Sequence, residues 1–336
     1  MNRADKFPLL VAEVANCHGG SRAYLLELVD GLCRTSVDAI KFQLIIADEL
    51  LVPGHSQYSL FQSLEFPRSF WAKVVAKVRA ANKQVAVDIF GDRSLDLAAR
   101  LDADLLKIYA SDVDDLQFIK KVMGLKKQVL ISTGGAELAE IKRIIKLPGS
   151  GNLCFLVGFQ SFPTPPEESQ LNRIEYLREH YGCNVGFMDH SDAGDSFSGV
   201  LPCLAVAKGA CTVEKHVYLA ARKKTYDWQS AIDFRELDKL RALLIKTQAA
   251  CGSGDFALTK LEKEYFIKKR KIAVAARDIA AGEKLKKDSV VFKLGEVAGG
   301  QQGIYRKELN GYFGQRLGQD VKKNDILLKN IFTKGA

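Results

Sequence analysis

The sequence predicts an α/β protein: a (β/α)8 barrel followed by a small β-rich domain. Short, nearly continuous apolar runs recur along the chain, and an amphipathic helical stretch follows each of them. This pattern is typical of parallel strands that are buried on both faces and covered by helices. Eight such units in about 250 residues match the size of a closed eight-stranded barrel.

In chain order, the eight predicted strands are 8–15, 37–43, 84–90, 105–110, 128–133, 152–159, 184–190 and 211–217. An open doubly wound sheet is the alternative α/β fold, but it normally has fewer units and a first turn of GxGxxG form. The first turn here, Asn16-Cys17-His18-Gly19-Gly20, lacks that pattern. We therefore expect a barrel over residues 1–252.

The chain changes character after the predicted barrel. Residues 253–269 predict a small-residue linker and a charged helix, and residues 270–336 carry short alternating runs separated by glycine-containing turns. Alternation of this kind predicts a compact β-rich domain. Such a domain is near the lower size limit for independent stability, so we expect it to pack against a barrel, its own or a partner's.

Composition excludes several classes of protein. Of the 336 residues, 47% are hydrophobic and 26% are charged, which is typical of a globular chain rather than a disordered one. No window approaches the ~18 uncharged apolar residues of a membrane helix. Glu13 interrupts the N-terminal apolar run, which argues against a signal peptide, and the seven cysteines include no CxxC pair. We expect a cytoplasmic protein with reduced thiols and no membrane contact.

The net charge of +9 raises the question of nucleic-acid binding. The basic residues lie mostly on mixed helical faces, with the densest cluster at 268–271, and no nucleic-acid-binding module accompanies them. A solvated surface, or long-range steering of an anionic substrate, explains the charge better. We expect no nucleic-acid partner.

Polar side chains lie near the C-terminal end of every predicted strand. In order they are Glu13, Lys41 and Gln43, Asp88, Lys107, Ser132 and Thr133, Gln160, Asp189 and His190, and Glu214 and His216. Charges inside apolar strands are costly unless they are paired or functional, and barrels of this type place their active sites at this end. Because side chains alternate along a strand, Glu214 and His216 share one face and Lys215 faces the helices.

His190 and His216 end neighbouring strands, with Asp189 and Glu214 beside them. Two imidazoles that leave room for water and substrate oxygens suit an open catalytic site for a divalent ion of the Mn²⁺ or Mg²⁺ class. A hydrogen-bonded core histidine is the alternative for either residue alone.

Lys41 and Lys107 are predicted to face the same cavity near Ser132. Two cations and a hydroxyl there predict a cradle for a small anion such as phosphate or carboxylate. The alternative that stays open is a pair of barrel salt bridges from these lysines to Glu13 and Asp88.

Seven segments resemble the N-acylneuraminate (sialic acid) synthase family: AEVANCHGG (12–20), DAIKFQ (38–43), LLKIYASD (105–112), ISTGGAELAEI (131–141), FPTPPEESQLNRI (162–174), VGFMDHS (185–191) and GACTVEKHV (209–217). The ordered set is specific, although each segment alone is a weak match. From Arg270 onward the chain resembles the antifreeze-like (SAF) domain that follows the barrel in this family.

The resemblance implies a transferase that condenses phosphoenolpyruvate with an open-chain amino sugar, such as N-acetylmannosamine, to a nonulosonic (sialic-type) acid and phosphate. It implies that His190 and His216 bind the divalent metal. The implied catalytic residues are Glu13, Lys41, Lys107 and Glu214, and the implied substrate-binding residues are Gln43, Asp112, Ser132, Gln160, Phe162, Asp189, Asp227 and Lys293. It further implies a homodimer whose SAF domain lies over the partner's barrel.

Several positions depart from the family pattern, mostly on the sugar side: Tyr109, Ala110, Gln160, Phe162, Met188 and Leu294. Leu294 replaces an arginine that reaches the sugar's acyl group in the partner subunit, and Lys293 is the nearest remaining donor. We therefore expect an active synthase with an altered acceptor, such as a diamino-dideoxy sugar, and weak use of N-acetylmannosamine. A metal-dependent pyruvate aldolase and a non-catalytic paralogue that binds a sugar or a partner protein stay open as alternatives.

Overall fold

A computed structural model describes residues 8–161, 163–221, 226–297 and 300–333. Eight parallel strands close into a barrel, with the last strand paired to the first, which confirms the predicted fold. The strands are β1 Leu9–Glu13, β2 Ala39–Gln43, β3 Gln84–Ile89, β4 Leu105–Ile108, β5 Gln128–Ser132, β6 Leu153–Val157, β7 Asn184–Asp189 and β8 Thr212–His216. Each lies inside one of the eight apolar runs.

Helices follow the strands, and most of them pack their apolar stripes on the outside of the barrel. They are α1 Arg22–Leu32, α2 Ala47–Leu50, α3 Tyr58–Ser63, α4 Arg68–Ala80, α5 Asp92–Arg100, α6 Leu116–Gly124, α7 Leu138–Ile145, α8 Asn172–Tyr181, α9 Val200–Ala207 and α10 Phe234–Cys251. Local chemistry sets where several begin. Ser21 caps α1 by accepting from the Tyr24 backbone, and the Asp233 carboxylate caps α10.

Side chains of the strands alternate between two apolar cores. Those that face the helices, such as Ile40, Val87 and Phe155, join the large core between barrel and helices. Those that face the barrel axis form a smaller inner cluster of Val11, Ala39, Ala86, Leu105, Leu130, Cys154, Leu156 and Met188. The inner cluster fills the barrel toward its N-terminal end, so polar residues further along the same faces lie above an apolar floor.

Asp189 and Lys215 face the helices, because they share the faces of Phe187 and Val213 in the outer core. Lys215 Nζ lies 2.8 Å from Asp189 Oδ2, and both side chains are at most 1% exposed. The other carboxylate oxygen accepts from the backbone N–H and hydroxyl of Ser191. The carboxylate that we expected to contact substrate is therefore fully used in a buried ion pair away from the barrel axis.

Two compact units divide the chain, residues 1–253 and 254–336. The second contains α11 Lys260–Lys269, the antiparallel strands β9 Ile272–Ala275 and β10 Val290–Lys293, and the short helix α12 Arg306–Leu309. It has an apolar core of its own, which includes Leu285, Leu317 and Leu327. Within the described residues of both units, no helix is long and apolar enough to cross a membrane.

We expect Lys215→Met to lower the free energy of unfolding by about 3 kcal/mol or more, because it leaves the buried Asp189 carboxylate without its counter-ion. The matched control is Lys77→Met, whose ion pair with Asp30 has side chains that are 43% and 48% exposed. That change should cost less than about 1 kcal/mol. Urea unfolding followed by circular dichroism measures both variants, and equal losses would contradict a structural role for the buried pair.

Candidate active site

Five charged side chains meet at the barrel axis above the apolar floor: Glu13, Lys41, Asp88, Lys107 and Glu214, each at most 4% exposed. We call them the charged cluster. The first four each lie two residues beyond a member of the inner apolar cluster, so the alternation of the strands turns them inward. The register then places Glu13 beside Lys41, and Asp88 beside Lys107.

Both lysines of the charged cluster are ion-paired. Lys41 Nζ lies 2.5 Å from Asp88 Oδ2 and 3.4 Å from Glu214 Oε1, and it also contacts the Glu13 carboxylate. Lys107 Nζ lies 2.6 Å from the same Glu214 oxygen and 4.0 Å from Asp88 Oδ1. The sequence left open whether these lysines form an anion cradle or barrel salt bridges. For Lys41, the structure contains the contacts with Glu13 and Asp88. The lysines are therefore not an unpaired anion cradle in this state.

The charged cluster combines two ammonium groups with three carboxyl groups. Burial raises the pKa of Glu13 to about 8, because it outweighs the opposing effect of Lys41, and Asp88 adds to the rise. Burial also acts to raise the pKa of Glu214, but Lys107 and Lys41 outweigh it and hold that pKa at about 2. Glu13 therefore keeps a proton at neutral pH, so its contact with Lys41 is then a hydrogen bond rather than an ion pair, and the cluster is formally neutral.

His190 directly follows β7 and His216 ends β8, and their ring centroids are 4.9 Å apart. Burial lowers the pKa of His190 to about 4, with Lys107 adding to the effect, and burial lowers the pKa of His216 well below its usual value. Both rings are therefore neutral at pH 7, the form that binds metal ions. The buried Nδ1 of His190 has no hydrogen-bond partner in the described part of the chain.

These donors fit an open metal site rather than a closed one. Among the described residues, no group of three or more His, Cys, Asp or Glu side chains is arranged to hold a metal ion. The two imidazoles would therefore supply two ligands and leave the other positions to water and substrate oxygens, as catalytic sites do. Flanking loops hold the backbone of His190, since its carbonyl accepts from Ser230 Oγ at 2.6 Å and from Thr164 N at 2.8 Å.

Loops that follow β1, β6 and β8 meet at one side of the barrel mouth. Gln160 Nε2 donates to Asp227 Oδ1 at 2.7 Å, and the Asp227 carboxylate also accepts from the backbone of Asn16. Burial raises the pKa of Asp227. We call Gln160, Asp227 and Asn16 the polar rim. It brings together two of the residues that the resemblance assigns to substrate.

The remaining predicted residues are scattered. Gln43 ends β2 in register with Asp88, and Ser132 is buried at the end of β5. Asp112 accepts a hydrogen bond from Ser111, and the charged groups near it are Asp115, Asp114 and Glu49 rather than those of the charged cluster. Phe162 lies outside the described residues. Lys293 belongs to the second unit, where its Nζ donates to Asn324 Oδ1 at 2.6 Å.

Two residues near the charged cluster were not among the predicted site residues. Asp88 carried a visible signal, a carboxylate inside an apolar strand, and it contacts both lysines. Tyr109 lies two residues after Lys107, and its ring contacts that of Phe90. The same two-residue spacing that relates Lys41 to Gln43 would have turned Tyr109 toward the mouth.

Residues 28–256 match the model of the NeuB family, and residues 270–332 match the SAF domain. The chain belongs to the NeuB family. It is 26% identical to pseudaminic acid synthase of Campylobacter jejuni, over 98% of this chain and 97% of that protein. It is also 26% identical to N,N'-diacetyllegionaminic acid synthase of that species, over 96% of this chain and 99% of that protein. These matches confirm the family resemblance along almost the whole chain.

The fold of this NeuB-family chain also matches a solved structure. A putative spore coat polysaccharide biosynthesis protein E from Chromobacterium violaceum superposes with a TM-score of 0.82 at 23% identity, over 97% of this chain and 100% of that chain. The likeness extends through the barrel and the SAF domain. It confirms the predicted fold class.

The loop after β1 carries a third buried histidine, apart from His190 and His216. His18 packs against Phe66 with ring centroids 5.1 Å apart, and its Nδ1 accepts from the Gly20 backbone at 3.1 Å. Burial lowers the pKa of His18 to about 4. Between pH 6.5 and 4 the unfolded chain therefore binds a proton at this histidine that the folded chain does not bind, so stability falls as the pH falls.

We expect the wild type to lose about 2 kcal/mol more stability than His18→Gln between pH 6.5 and 4.5, because the variant lacks the titrating imidazole. Urea unfolding at both pH values gives the two differences. His55→Gln, at an exposed position, is the control and should match the wild type. A parallel pH dependence of the wild type and His18→Gln would show that His18 is not buried in its neutral form.

Proposed function

We propose that this chain is a metal-dependent synthase that joins phosphoenolpyruvate to an open-chain amino sugar, giving a nonulosonic acid and inorganic phosphate. Membership of the NeuB family and relatives that are named pseudaminic and legionaminic acid synthases support this reaction class. The observation that carries the proposal is the meeting of two buried lysines and two neutral histidines at the C-terminal end of one barrel.

Lys41 and Lys107 are the groups that bind the phosphate and carboxylate of phosphoenolpyruvate, together with the Ser132 hydroxyl. Because each lysine is already paired, the substrate must compete with Asp88 and Glu214 for the ammonium protons. Adding anionic charge to a neutral buried cluster is unfavourable unless positive charge enters as well. A divalent ion bound by His190 and His216 would supply that charge and polarise the sugar aldehyde.

Glu13 is the group best suited to move a proton. When C3 of phosphoenolpyruvate attacks the aldehyde carbon, the aldehyde oxygen becomes a hydroxyl and takes up one proton. Water then adds at C2 and gives up one proton, and the C–O bond to phosphate breaks. A carboxyl group whose pKa is about 8 can donate the first proton and accept the second near neutral pH.

The polar rim binds hydroxyls of the acceptor sugar, with Gln43 contributing from the end of β2. Gln160 and Asp227 already form a donor–acceptor pair that a sugar diol can extend. The acceptor differs from N-acetylmannosamine, as the departures from the family pattern indicate. The two Campylobacter relatives are equally similar to this chain but are named for different acids, so identity alone does not select the acceptor.

Phosphate release from phosphoenolpyruvate, measured with Mn²⁺ and a panel of amino sugars, tests the reaction. We expect release with at least one acylated amino sugar, weaker release with N-acetylmannosamine, and loss of release after treatment with a chelator. His190→Ala and His216→Ala should each lower kcat at least 100-fold, because each removes half of the protein's metal ligands.

Two controls separate the alternatives. His180→Ala changes an exposed histidine on α8 and should leave the rate unchanged. Condensation of pyruvate without phosphate release would identify an aldolase instead. No reaction and no binding of phosphoenolpyruvate or Mn²⁺ would identify a non-catalytic paralogue.

We further propose that the chain acts as a homodimer in which Lys293 reaches the sugar bound by the partner subunit. Lys293 is exposed at the end of β10, and its ammonium group contacts only a neutral amide among the described residues. Lys293→Ala should raise the acceptor KM about tenfold and leave the mass from light scattering at twice that of the chain. A monomeric mass for the wild type would refute the exchange.

A further inference from the structure

Tyr109 directly follows β4 and turns toward the barrel mouth. Its backbone is still extended, with φ −72° and ψ 160°, so the alternation of the strand continues through it. Tyr109 therefore faces the same side as Leu105 and Lys107, one level above the lysine.

The tyrosine ring is held from behind by a second aromatic residue. Phe90 directly follows β3, and its ring meets that of Tyr109 edge to face, with centroids 5.5 Å apart and an angle of 61° between the planes. Phe90 is only 7% exposed, whereas Tyr109 remains 37% exposed. One side of the tyrosine is thus fixed by packing, and the rest of its surface is open to a ligand.

The tyrosine hydroxyl lies within the electrostatic reach of the site. Burial raises the pKa of Tyr109, and the charges of Asp88, Lys41 and Asp227 also act on it. These groups belong to the charged cluster below and to the polar rim. Gln160 follows β6 and Asn16 follows β1, whereas Tyr109 follows β4, so the polar rim and Tyr109 lie at different parts of the mouth.

The mouth therefore has a polar wall and an aromatic wall. Hydroxyl groups of a sugar gain hydrogen bonds at the polar rim, but they gain little against the face of an aromatic ring. A methyl or methylene group has the reverse preference, because it buries apolar surface on the ring. An acceptor that carries both kinds of group would satisfy both walls at once.

We propose that Tyr109, supported by Phe90, is a specificity-determining residue that selects acceptors with an apolar substituent, an acyl methyl or a deoxy carbon, over fully hydroxylated sugars. This inference rests on the proposed function for the identity of the ligand as an open-chain sugar. It concerns recognition alone and assigns Tyr109 no part in bond making.

Calorimetric titration with open-chain alditols tests the selection without turnover, because an alditol has no aldehyde to condense. The probes are the alditols of N-formylmannosamine, N-acetylmannosamine and N-acetyl-6-deoxymannosamine, titrated into the full chain with Mn²⁺ and phosphoenolpyruvate. Comparing the first two reports on the acyl methyl, and comparing the last two reports on the deoxy carbon.

We expect the wild type to prefer at least one apolar-bearing probe by about tenfold, and Tyr109→Ala to remove most of that preference. Tyr109→Phe should keep it, because the ring remains. The affinity for phosphoenolpyruvate should stay within about twofold in both variants, whereas a general loss of structure would weaken both ligands. Tyr176→Ala, which removes a tyrosine that is 39% exposed on α8, is the matched control and should behave as the wild type.

The inference is overturned if no alditol binds, if the wild type shows neither preference, or if Tyr109→Ala retains the preference. Phosphate release with an unchanged preference in Tyr109→Ala would leave the synthase standing and remove the inference alone. The chain could also show a preference that depends on Tyr109 but release no phosphate with any acceptor. That outcome would refute the proposed synthase and support a sugar-binding site that Tyr109 lines.

Discussion

The contact of Lys41 with three carboxyl groups is the interaction on which the site depends. A lone ammonium group in the barrel would carry a desolvation cost of several kcal/mol, so the strand that bears it requires acceptors on its neighbours. Glu13 and Asp88 come from the two adjacent strands, and Glu214 comes from β8. Burial of Glu13 is the main reason that it holds a proton, and the neighbouring carboxyl groups of Asp88 and Glu214 add to the effect.

Buried charged side chains are paired on both faces of the barrel wall. Inside, the side chains of the charged cluster come from five strands. Outside, Asp189 and Lys215 form a separate buried pair between β7 and β8. The inner charged groups pair with one another, whereas Ser191 completes the hydrogen bonding of the outer carboxylate. Neighbouring residues of one strand therefore have different tasks, since His190 faces the site and Asp189 holds the strand end in place.

The fold could be predicted because every strand is a short apolar run, and the charged residues stood out because they interrupt such runs. The pairing of Lys41 with Glu13 and Asp88 was predicted only as one of two alternatives, and Glu214 was not predicted as a partner of both lysines. Pairing across the barrel depends on the stagger between strands, which no single strand encodes. The orientation of Asp189 could have been predicted from the sequence. Asp189 is one residue from His190, and the alternation of side chains along a strand places the two on opposite faces. Tyr109 was noted only as a departure from the family pattern, although the same rule, applied from Lys107, turns it inward.

The apolar floor of the barrel affects the order in which ligands can bind and leave. Val11, Leu105 and Leu156 belong to the cluster that fills the barrel below the charged groups, so in the proposed synthase reactants and products would both pass through the mouth. A ligand bound to Lys41 and Lys107 would lie deeper in the barrel than a ligand that contacts Tyr109 and the polar rim. The deeper ligand would therefore have to bind first, and it could dissociate only after the outer ligand had left. A site that is closed at one end imposes an order of binding, and a product acid that dissociated slowly from the polar rim would inhibit the next turnover of the proposed synthase.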